Sequence, residues 1–85
     1  MPEELHLLVE DVLSQRDMLV RAIIMDGVLA EGIAEIASQH EGDAPHSAIE
    51  RLRRLSRHHR IKAPELRGRL AALEAKYSAI FSLAR

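Results

Sequence analysis

The sequence predicts an all-α protein: an antiparallel helical hairpin, or a three-helix bundle with one long N-terminal helix. Three observations carry this. The apolar residues are Leu, Ile, Val, Ala and Met, with Tyr77 and Phe81 the only aromatics, a mixture that favours helix over sheet. Those residues recur at alternating spacings of three and four along most of the chain. The breaking residues are confined to one loop and one proline, so helices near 3–38, 47–60 and 64–84 are expected, joined by a loop at 39–46 and forming a single domain over 1–85.

The first helix begins well. Pro2 suits an N-terminal turn, and Glu3 and Glu4 suit the positive end of the helix dipole. Leu5, Leu8, Val12, Gln15, Leu19, Ala22, Asp26, Leu29, Ile33 and Ile36 then form a heptad seam interrupted only by Gln15 and Asp26. Val9, Leu13, Arg16, Val20, Ile23, Gly27, Ala30, Ala34 and Ala37 lie on a second seam beside it, and its small later members permit close helix approach. Asp26-Gly27 could end a helix or make a hairpin turn, but both seams cross it in phase, so one helix is expected. Asp26 at a seam position calls for a cation, which the arginine-rich arm could supply, unless the helix bends there and turns Asp26 to water.

Gly42, Asp43 and Pro45 mark the loop. Ser47 and Glu50 match a capping box opening the second helix, on which Ala48, Leu52, Leu55 and His59 make a stripe. Pro64 is expected to end that helix and start a third, striped by Leu66, Leu70, Leu73, Tyr77, Ile80 and Ala84.

Charge is divided. The net charge is −1, yet residues 1–50 hold eleven acids against Arg16 and Arg21, while 51–85 hold ten bases against Glu65 and Glu74. Arg51, Arg53, Arg54, Arg57, Arg60 and Lys62 form a run without an acid. Such a run can neutralise the acidic helix, with Arg53, Arg54 and Arg57 reaching acids such as Glu10, Asp11 and Asp17. It can also meet an acidic protein or bind phosphates. The lack of interleaved aromatics weighs against reading single-stranded bases.

Several function classes are excluded by what the sequence lacks. There is no cysteine for disulfides or thiolate chemistry, and no phosphate loop, nucleophile elbow or metalloprotease motif. Leu13 to Val20 resembles the first helix of helical chorismate mutases, but Gly27-Val28-Leu29 supplies no cation where that family has one, so no mutase activity is expected. The histidines have no metal-ligand spacing: His58 and His59 are adjacent and point to different sides, and His40 and His46 flank the loop. No enzyme activity, cofactor, metal or small-molecule substrate is expected. The acidic start is unlike a secretory signal, and Met18–Ala30 is too short and too charged to span a bilayer, so a cytoplasmic protein is expected. The scarcity of lysine, present only as Lys62 and Lys76, hints at a bacterial source.

Between residues 18 and 30 the first helix is apolar most of the way round. A helix of that kind must be covered on several sides. The chain is therefore expected to be a protein–protein interaction module (an adaptor, co-chaperone or regulator) that works by helix packing. It is expected to associate with itself, as a dimer or larger oligomer, or with another protein. Leu19, Ile23, Ile24, Val28, Leu29 and Ile33 are the expected interface. The alternative is a nucleic-acid-associated regulator using 51–69.

Overall fold

A computed structural model describes residues 2–83. They form two long antiparallel helices and a short third one: α1 (Glu3–Gln39), α2 (His46–Lys76) and α3 (Ser78–Leu83). The described residues contain no strand. The hairpin measures 62 × 19 × 18 Å, with a radius of gyration of 18.5 Å. A compact domain of this length has a radius of gyration of about 12 Å, so the molecule is an elongated rod of two packed helices.

α1 runs unbroken through Asp26-Gly27, and none of the described glycines has a positive φ. The chain turns at residues 40–45. The backbone N–H groups of Asp43 and Ala44 both donate to the carbonyl of His40, at 3.2 and 3.0 Å, and the His40 ring lies 3.2 Å from the Asp43 carboxylate. α2 then starts one residue before Ser47. Pro45 takes the cap position without any side-chain cap, so the expected Ser47–Glu50 capping box does not form.

The larger correction concerns Pro64. It does not divide two helices but lies inside α2, which continues to Lys76. A proline there removes one backbone N–H and leaves the carbonyl four residues back, that of Arg60, without its helical donor. The pyrrolidine ring is on the exposed side of the helix while Ala63 is buried against α1, so packing holds the helix together across the gap. The break comes instead at Tyr77, whose φ of −117° and ψ of 36° close α2, with its N–H donating to the Leu73 carbonyl at 3.0 Å. The carbonyl of Tyr77 then accepts from Ile80 and Phe81 to start α3. Ala84 and the side chain of Leu83 lie outside the described residues.

The real seam on α2 runs through Ile49, Leu52, Ser56, His59, Ala63, Leu66, Leu70, Leu73 and Tyr77, all buried or half-buried. Its three–four rhythm crosses Pro64 without a change of phase. On α1 the seam is Val12, Leu19, Ile23, Asp26, Ala30, Ile33 and Ala37, which takes members from both expected seams. One neighbouring helix covers only the strip between the two, and Leu29 and Ile36 are left at its exposed margin.

Candidate functional site

Three features could carry function: a polar cluster inside the hairpin, an apolar face and a basic groove. The first is built where Asp26, Ala30, Ser56 and His59 meet. Asp26 and His59 occupy seam positions, and both side chains are largely enclosed, 11% and 18% exposed. Asp26 Oδ1 lies 2.8 Å from His59 Nδ1. A carboxylate only accepts, so the imidazole donates from Nδ1. One turn away the Ser56 hydroxyl donates to the backbone carbonyl of Ala30 at 2.7 Å. Such a reach needs the two backbones close together, which Ala30, Ala37, Ser56 and Ala63 allow because they are small. Asp26 does find a basic partner, but it is His59 rather than an arginine. No buried side-chain nitrogen or oxygen among the described residues lacks a partner. The cluster's hydrogen bonds are thus made within the hairpin, between α1 and α2.

The second feature is the face left uncovered along one side of the rod. Met18 and Met25 are seven residues apart on α1, as are Leu29 and Ile36, and residues at that spacing share a side of a helix. Met18 is 67% exposed and Met25 57%. Across the seam this face continues on α2 with Leu55 and Leu73. Between the helices it dips into a groove of about 430 Å³ lined by Gln15, Met18, Leu19, Ala22, Arg69 and Leu73.

The six residues expected to meet a partner do not make one surface. Leu19, Ile23 and Ile33 are half-buried in the hairpin's own seam. Leu29 belongs to the uncovered face. Ile24 and Val28, each 61% exposed, lie round the back of α1. Met18, Met25, Ile36, Leu55 and Leu73 share the uncovered side with Leu29 and were not among the expected six. Their seven-residue spacings were present in the sequence, but which flank of α1 stays open depends on where α2 docks.

The third feature is on the opposite side. Arg53, Arg57 and Arg60 line a groove of about 180 Å³ with Ala34 and Ser56. Arg54 lies next to them beside Glu50, whereas Arg51 lies on the apolar side of α2 beside Leu52 and Leu55, and Lys62, seven residues after Leu55, falls on that side of the helix. The basic run therefore wraps the helix instead of forming one patch. It does not meet Glu10, Asp11 or Asp17, because in the antiparallel register Ser56 stands opposite Ala30 and those acids lie far along the rod. Only Arg53 has an acid partner within the run, Glu41 at 3.3 Å. Arg57 and Arg60 have no carboxylate partner among the described residues.

The chain matches no protein-family model, no curated protein and no solved structure. Among the described residues no helix is long and apolar enough to cross a membrane, and no group of three or more metal-ligating side chains comes together.

Proposed function

We propose that this protein is a helical association module that docks other helices on the face carrying Met18, Met25, Leu29, Ile36, Leu55 and Leu73. The observation that supports this is surface area. The chain exposes 6474 Å². A folded monomer of its mass exposes about 5,000 Å², so roughly 1,400 Å² is in surplus. Its own core is thin: Val12, Ala30, Ala37, Ile49, Ala63 and Phe81 are its buried apolar residues. Methionines suit such a face, since their flexible thioethers fill irregular gaps against a partner.

Peroxide footprinting tests it. Met18 and Met25 should oxidise more slowly in the cells that make the protein than in the purified chain at high dilution. Equal rates in both settings would show that nothing covers the face, and the reading would fall.

A second reading rests on the groove of Arg53, Arg57 and Arg60, where Arg57 and Arg60 have no carboxylate partner among the described residues and their guanidinium groups suit the phosphates of a nucleic acid. Contact with three phosphates of a duplex gives a log–log salt slope of about −3. The triple variant Arg53→Glu, Arg57→Glu, Arg60→Glu should then stay folded and lose duplex binding at low salt. Wild-type protein that does not bind a duplex at low salt removes this reading.

A further inference from the structure

Taking the apolar face as an association surface, we infer that its partner is a second copy of this chain, and that two hairpins stack face to face about a two-fold axis parallel to their helices, making a four-helix bundle.

Area points to a copy. The surplus of about 1,400 Å² per chain corresponds to about 2,800 Å² buried between two chains, within the range of obligate homodimers and above the roughly 800 Å² per partner of a standard interface. The hairpin itself is 62 Å long and 19 Å across, and a copy laid along its side can run its whole length. A second layer of two helices also supplies what a two-helix rod lacks, which is neighbours for both flanks of each seam.

Charge selects the symmetry. α1 holds eight acids and two arginines, a net −6, and α2 nine bases and three acids, a net +6. Two face-to-face arrangements have a two-fold axis in the plane between the layers. An axis perpendicular to the helices lays α1 on α1 and α2 on α2, like charge on like along the whole rod. An axis parallel to the helices lays each α1 on the α2 of the other copy. Neighbouring helices are antiparallel in both, so their dipoles do not choose between them, and charge does: the second arrangement places opposite charges together.

The register follows from the hairpin itself. A two-fold axis along the helices preserves height, so α1 of one copy stands level with the same α2 residues it faces within its own chain. Asp26 faces His59 and Arg16 faces Glu74 in one chain. Met25 of one copy therefore stands within about two residues of the height of Lys62 of the other, whose aliphatic stem packs on the methionine. Asp11 of one copy lies within about one helical turn of the height of Lys76 of the other, a gap that the lysine side chain spans to pair at the rim.

Light scattering on the purified full chain, followed by oxidative cross-linking of cysteine variants, tests copy and symmetry in turn. The wild type should have the mass of two chains, and Met25→Glu should reduce it to one chain with helix content unchanged. The double variant Met25→Cys, Lys62→Cys should give a covalent dimer, because its thiols come within the Cβ separation of about 4 Å that a disulfide needs. Each single variant should give none. A wild type with the mass of one chain at every concentration overturns the second copy. If its methionines are nevertheless protected in cells, the association reading survives with a different partner. A two-chain mass combined with cross-linking of the Met25→Cys single variant, or with no cross-link in the double variant, overturns the symmetry.

Discussion

The half of the hairpin next to the loop and the half at its open end are held together by different means. Near the loop the seam sets the small residues Ala30, Ala37, Ser56 and Ala63 among Ile33, Ile49 and Leu52, with the Asp26–His59 and Ser56–Ala30 hydrogen bonds between the helices. Small side chains bring the helices close, and polar groups are satisfied in the gap. Toward the open end the side chains are bulky. Val12 and Phe81 are buried there, and Arg16 lies 5.7 Å from the centre of the Phe81 ring and 4.0 Å from Glu74. Between Leu19 and Leu73 the groove of about 430 Å³ stays open. Two helices can close on small residues unaided, but large ones need a third and fourth helix to interdigitate with. The loop half thus fixes the register, and the open half is where a partner adds most.

The largest expected effect is at the junction of the halves. Ile23→Asp puts a carboxylate in the seam one turn from Asp26 and should cost about 4 kcal/mol, enough to abolish cooperative melting. A variant that melts like the wild type would place Ile23 outside the seam. Pro64 stands level with Ile23 on α2. Pro64→Ala restores the missing N–H and should stabilise the protein by up to about 3 kcal/mol, seen as a higher melting temperature. No rise would mean that the helix has already relaxed around the proline.

Inside the loop half, Asp26→Leu and His59→Leu should each cost about 2 kcal/mol, since each leaves the other side chain enclosed without its partner. The double variant should recover much of that loss, and simple additivity in a double-mutant cycle would dissolve the pair. Ser56→Ala should cost about 1 kcal/mol in denaturant unfolding. A negligible change there would mean the small seam, not the hydrogen bond, holds the helices close. The smallest effect belongs to the open end. Arg16→Ala removes a part-exposed ion pair and should change stability by less than about 1 kcal/mol. A larger loss in urea titration would show that the two halves are more alike than their packing implies.

Much of this architecture was legible in the sequence. The in-phase seams across Asp26-Gly27 correctly indicated one helix, and Gly42, Asp43 and Pro45 located the turn. The Pro64 break was misjudged because local propensity was weighed against a local stripe. Leu52, His59, Leu66 and Leu73 are seven residues apart throughout, and that long-range phase already argued for continuity. The Asp26–His59 pair was half legible. Both residues were on seams, but only the antiparallel register could bring together two side chains 33 residues apart. The apolar face was hidden for a different reason. α1 carries two equivalent stripes, and the sequence of α1 alone does not determine which strip between them α2 covers.

The antiparallel register also orders events in time. Ala30 and Ser56 are separated by 26 residues of chain, Asp26 and His59 by 33, and pairs nearer the open end by more. Each contact made near the turn shortens the free loop that the next must close, so the helices zip from residues 40–45 outward. Opening runs the other way. Amide hydrogen exchange should be slowest around Ala37 and Ile49 and should quicken steadily toward Leu5 and Leu8, a gradient set by distance from a six-residue turn.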